Sequence, residues 1–237
     1  MTSCLKEGCI NEATGYEYLT RFSFCSTECQ SQFRLSGYPY LDDKKGHVHN
    51  FKNKMNKLWI DHILWTRFYI LFFINEHEKE EIDLTLKRLL KNQTDIANLV
   101  KPFYGKENSK KLESLLKEHI QFAGELVSIA KKQRDAGGMT GAFAIEFKNM
   151  NDKWYQNAKD ISLFLHRANP ENWKYNDLWN LMKGHLDQTL KEATLILQKK
   201  YKEDIKNYEE ITHHILMMAD TLSDGIIKQF GEKMFII

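Results

Sequence analysis

From residue 51 onward the chain contains two prolines, Pro102 and Pro170, and its apolar side chains recur at three- and four-residue spacing almost throughout. That period belongs to the α-helix, and so long a stretch with so few breakers excludes a turn-rich β fold. The pattern predicts helices over 51–76, 79–101, 107–135, 139–168, 175–201 and 203–230. Pro102 and Gly105 close the second, and Asp135-Ala136-Gly137-Gly138 closes the third with glycines free to take positive φ. Asn169 followed by Pro170 reads as a cap and a first-turn proline. Spacing places Leu112, Leu115, Phe122 and Leu126 in the core from one helix, and Phe147, Met150, Trp154 and Ile161 from the next. The expected fold is mainly α, an antiparallel bundle of about six helices.

Polar residues interrupt these apolar stripes in almost every helix. His62 and Thr66 lie among Trp59, Trp65 and Phe73, and Asn92 sits between Leu89 and Ile96. His119, beside Glu118, occupies the stripe of Leu112, Leu115 and Leu126, while Asn157 continues Trp154 and is flanked by Asp160. His185, Thr189 and Glu192 follow at i, i+4 and i+7 in the stripe of Leu178, Met182 and Ile196. Left unpaired in a core, each such group costs on the order of 1–3 kcal/mol, so they must meet one another or a ligand. Two readings follow. One is a buried pocket in which imidazoles and carboxylates hold a divalent metal ion. The other is a hydrogen-bond network that fixes helix register. The Glu-x-x-His spacing of di-iron bundles is absent.

All four cysteines fall in the first 29 residues, as Cys4-x4-Cys9-x15-Cys25-x3-Cys29. Two close pairs in one short segment are the pattern of a closed four-thiolate zinc site, which leaves no coordination position for catalysis. Gly8 supplies a tight turn before Cys9, the Tyr16–Phe24 stretch suits a short hairpin, and Cys25 and Cys29 are one helical turn apart. Zinc binding of ~10–16 kcal/mol organises a segment too small to fold alone. The expected organisation is a zinc-binding module over 1–35, a linker over 36–50 and a helical bundle over 51–237.

The chain carries a net charge of +2, divided as about −1 over residues 1–50 and +3 beyond. Neither part is basic enough to draw nucleic acid by long-range attraction, so the macromolecular partner expected for the cysteine module is a protein rather than a nucleic acid. The start, MTSCLKEGC, has no apolar core of a secretory signal. The most apolar stretch, Leu58–Ile74, contains Asp61, His62 and Arg67 and is read as a buried helix, with no membrane insertion. Thiolates bound to zinc, with no signal, place the chain in the cytoplasm or another intracellular, reducing compartment.

The segment with Cys4, Gly8, Cys9, Phe24, Cys25, Ser26 and Cys29 resembles small treble-clef zinc fingers, modules of macromolecular contact. Residues 58–230 resemble a group of small bacterial helical proteins without an established activity, through LWIDHILWTRFYI, RLLKNQTDIANLVKPFYG, LLKEHIQFA, WYQNAKDISLFL, HLDQTLKEA and ILMMADTLSDGIIKQF. That resemblance implies shared polar positions at His62, Thr66, Arg67, Asn92, Asp95, His119, Asn157, Asp160, His185, Thr189, Glu192 and Asp220. The expected function is a zinc-binding interaction or scaffold protein whose bundle carries a buried histidine–carboxylate pocket, with a second divalent metal as a candidate ligand. The alternative is a metal-dependent hydrolase or oxidoreductase using that pocket. No P-loop, dinucleotide fingerprint or nucleophile elbow is present.

Overall fold

The computed structural model describes residues 15–17, 22–24, 43–138 and 141–231, and these are mainly helical. The chain divides into two compact units, residues 1–49 with 232–237, and residues 50–231. In the first, β1 (Gly15–Glu17) pairs antiparallel with β2 (Phe22–Phe24), Gly15 facing Phe24 and Glu17 facing Phe22. The four cysteines of the expected zinc site, Cys4, Cys9, Cys25 and Cys29, lie outside the described residues.

Five helices follow among the described residues: α1 (Asp43–Ile74), α2 (Lys79–Asp135), α3 (Gly141–Ala168), α4 (Tyr175–Leu197) and α5 (Tyr201–Phe230). α1 begins ahead of the expected residue 51, because a lone Gly46 costs a helix only about 1 kcal/mol relative to alanine. α2 replaces two expected helices. It continues past Pro102 and leaves helical geometry only at Gly105, where φ is 79° and ψ 172°. Glycine alone takes that conformation without a Cβ clash. The arms on either side lie antiparallel, with the Thr94 hydroxyl donating to Glu113 (2.8 Å) and the Ser109 hydroxyl to the Ala97 carbonyl (2.7 Å). α2 ends as its glycines suggest, with Gly137 at φ 84° and the Gly138 amide bonded back to the Gln133 carbonyl. α4 and α5 are separate helices, divided at Lys199 with φ 56°.

Cross-helix bonds fix the directions. Asn92 bonds Leu58, and Arg88 lies over Trp65, so the first arm of α2 runs against α1. Asn157 bonds Leu115 while Trp154 packs on His119, so α3 runs against the second arm. Asn207 bonds Gln188 and His214 bonds Leu181, so α5 runs against α4. His62 meets His185 and Arg67 meets Glu192, so α1 and α4 run the same way, as does the second arm of α2.

The core is apolar and fully buried at Leu126, Trp154, Ile161, Leu186, Ile215 and Ile226. Leu112 and Leu115 join it as expected, but Phe122, Phe147 and Met150 are only half-buried. α3 has no buried residue before Trp154, and its Ile145 is exposed. Among the described residues no helix is long and apolar enough to cross a membrane.

Candidate functional site

Midway along the bundle the apolar core gives way to a layer of imidazoles. α1 supplies His62, the second arm of α2 His119, and α4 His185, all buried. Nε2 of His62 stands 3.3 Å from Nε2 of His185. The His119 ring stacks on His185 with centroids 6.1 Å apart. Two indoles close the ends, Trp59 edge-on to His62 at 5.7 Å and Trp154 against His119 at 5.3 Å.

Amides orient these rings from outside. Nδ1 of His119 is 2.9 Å from Oδ1 of Asn157, whose own amide nitrogen donates to the Leu115 carbonyl (3.1 Å) and to Glu118 (3.0 Å). A carbonyl oxygen only accepts, so His119 carries its proton on Nδ1 and leaves Nε2 bare. Nδ1 of His62 is 3.3 Å from the Gln93 amide nitrogen, whose two hydrogens are shared among this ring, the Leu89 carbonyl (3.0 Å) and Asn92 (3.1 Å). With the amide so placed, His62 bears its proton on Nε2 and donates it to His185, whose own proton then sits on Nδ1. Asn92 is anchored by donation to the Leu58 carbonyl at 2.9 Å.

The network does not close. Nε2 of His119, Nδ1 of His185 and the indole nitrogens of Trp59 and Trp154 are buried without a partner. Such atoms are rare in folded cores, and each calls for a physical account. Burial holds all three imidazoles neutral. It pushes His62 down to about 3, with His119 adding to the effect, and pushes His119 down to about 4 against the pull of Asn157. His185 lies well below the ordinary range through burial and then through His62, His119 and His214. Neutral imidazoles with bare nitrogens are ligands for metal ions or for hydrogen-bond donors. Among the described residues, however, no three His, Cys, Asp or Glu side chains already converge as a metal cage, and His119 stacks beside the His62–His185 pair.

A second polar cluster lies further along α1. Arg67 donates from Nη1 to Glu192 at 2.5 Å and from Nη2 to Asp204 at 2.6 Å, with its guanidinium 4.6 Å from the ring centre of Tyr208. Burial would lower Arg67, but the bonds to Asp204 and Glu192 outweigh it and hold the guanidinium above its usual value. Burial pushes Glu192 up to about 7 in spite of Arg67.

The ten pocket candidates thus separate. His62, His119, His185, Asn157 and Asn92 share the imidazole layer, and Glu118 reaches it from an exposed position. Thr66 and Thr189 are buried beside it, their hydroxyls donating to the carbonyls of His62 and His185 one turn back. Glu192 belongs to the Arg67 cluster. Asp160 does not join either group; it is exposed and accepts from Gln156 on its own helix. Gln93 and Asp204 are additions, and Arg67, a position implied by the resemblance alone, lies in the second cluster. Gln93 had a signal, since positions adjacent in a helix can both face the core when the apolar stripe is wide. Asp204 had none, because an acid in a first helical turn reads as complementing the helix dipole.

No protein-family model, curated protein or solved structure matches the chain.

Proposed function

We propose that the bundle binds a divalent first-row transition metal through His62, His119 and His185, and that the N-terminal Cys4, Cys9, Cys25 and Cys29 hold a separate, closed zinc used for contact with a protein partner. The observation that carries the reading is the spacing of the first pair. Two nitrogens each ~2.0–2.1 Å from a tetrahedral ion stand about 3.3–3.4 Å apart. His62 and His185 present Nε2 atoms at 3.3 Å.

Two features support it. His119 has a bare Nε2, and its Nδ1–H is already held by a carbonyl, the arrangement that orients a metal-bound imidazole from its outer side. All three rings are neutral, so no proton competes for their lone pairs near pH 7. Occupation requires two adjustments. The His119 ring turns toward the pair, and Gln93 presents its carbonyl so that the His62 proton moves to Nδ1. The thiolate site at the N-terminus fits a reducing compartment.

Three imidazoles leave a fourth position open, whereas four thiolates leave none. That difference favours, as a second reading, a metal-dependent hydrolase or oxidoreductase centred on the bundle rather than on the cysteines.

Elemental analysis of the full-length chain tests the proposal. Two metal equivalents are expected. Cys25→Ser with Cys29→Ser should remove one, and His62→Ala with His185→Ala the other. A metal content that the histidine pair leaves unchanged in folded protein contradicts the bundle site.

A further inference from the structure

One helical turn from the imidazole layer lies a cavity of about 40 Å³ whose walls expose only apolar surface. Its position follows from chain direction. Trp59, Leu116 and Met182 line it, and each stands one helical turn before His62, His119 and His185 respectively. The helices bearing them run the same way, so the cavity lies to one side of the layer, one helical turn from each ring, with Trp59 between it and His62. From the opposing helices Ile161 and Met218 complete the wall. On the other side of the layer a smaller cavity of about 30 Å³ lies against Thr66, Trp154 and Thr189.

Size and lining together restrict what the larger cavity takes. One water needs roughly 10–15 Å³ of such space and two to four polar partners, while an apolar cavity near 150 Å³ takes benzene. A space of 40 Å³ is too small for a ring and has room for more than one water. Its walls offer water no hydrogen bond, so hydration is unfavourable there. A nonpolar molecule of two heavy atoms meets both limits.

We propose that this cavity binds a small nonpolar diatomic gas, of the dioxygen class, and holds it beside the histidine layer. As a reservoir beside a metal the proposal rests on the bundle site described above; as a binding cavity it stands without it. Trp59 forms the shared wall, one part facing the cavity and its edge packed on His62. The binding involves no bond making. It places the gas one helical turn from three imidazoles, two of which have unpartnered nitrogens.

Three methionines make the test direct. Met55, Met182 and Met218 line the cavity, whereas Met217 is 42 % exposed and serves as the solvent reference. The full-length, metal-free protein labelled at methionine methyls is examined by NMR under dioxygen and, as a diamagnetic control, under dinitrogen at equal pressure. Paramagnetic relaxation several-fold larger at Met55, Met182 and Met218 than at Met217 is expected. Leu116→Phe should abolish the excess by filling the space. Should that variant not fold, Ala168→Leu, on another part of the same wall, serves instead. Relaxation at the three methyls no greater than at Met217, or an excess unchanged by a folded filling variant, overturns the proposal. Because no metal is present, failure of the cavity and failure of the metal site are read separately.

Discussion

Two polar clusters share one apolar core, and they are built on opposite principles. Around Arg67 the bonding is complete: both terminal nitrogens of the guanidinium meet carboxyl groups, and no buried atom of Arg67, Glu192 or Asp204 is left without a partner. In the histidine layer every ring is neutral, and four buried nitrogens in or beside the rings have no partner. A saturated cluster has nothing left with which to bind. It ties α1 to α4 and α5 and sets their register, the best-attested use of buried ion pairs. An unsaturated one keeps a free-energy cost that a ligand can relieve. Under the proposed metal site, similar depth in the same bundle serves two ends, and the comparison can be broken experimentally.

The largest effect of a single substitution is expected at the saturated cluster. Arg67→Met leaves Glu192 and Asp204 buried without their cation and should cost about 3–5 kcal/mol in denaturant unfolding. A loss below 1 kcal/mol would show that the cluster does not hold the helices together.

Acid should act through the other cluster. The folded values of His62 and His119 lie at about 3 and about 4, below the ordinary 6.5. As pH falls through 6.5 the unfolded imidazoles take up protons that the folded ones refuse. The unfolded state then binds more protons, and stability drops until the folded values are reached. Metal-free protein should lose about 3 kcal/mol per imidazole between pH 7 and 4 from these two groups. His119→Gln should flatten that profile. Parallel profiles for the two proteins would mean that the ring is not held neutral.

Asn157 tests the orientation of the layer. Asn157→Ala should cost about 1–3 kcal/mol by leaving Nδ1 of His119 unpaired. It should also weaken metal binding by about 10–100-fold, as loss of an outer partner does at other metal sites. A titration curve identical to that of the unaltered chain would deny Asn157 its positioning role.

The smallest change is expected at Asp160. It is exposed and bonded only to Gln156 on its own helix, so Asp160→Asn should shift stability by less than about 0.5 kcal/mol and leave metal uptake unaltered.

Much of this was legible in the order of residues. A polar side chain in an apolar stripe must be satisfied inside, and that argument placed His62, His119, His185, Asn92 and Asn157 in one layer. It failed at Asp160 because a residue flanking Asn157 by three positions lies at the edge of the stripe, where a short carboxylate turns to water. It put Glu192 with the imidazoles, whereas two turns of helix carry that residue from His185 to Arg67. Periodicity does not report how far along the bundle two stripes meet. The reversal at Gly105 was visible as a helix end but not as a single-residue hinge, since helical propensity on both sides runs up to it. Which nitrogens stay unpartnered depends on ring rotation, and no sequence pattern encodes that.

Cobalt(II) titration of the full-length Cys25→Ser, Cys29→Ser chain, followed by visible absorption, tests the central claim most directly. With the thiolate site disabled, the account expects one equivalent to produce a nitrogen-ligated d–d spectrum that His62→Ala with His185→Ala removes. A folded chain that develops no such spectrum, or one that keeps it after both histidines are gone, would contradict it.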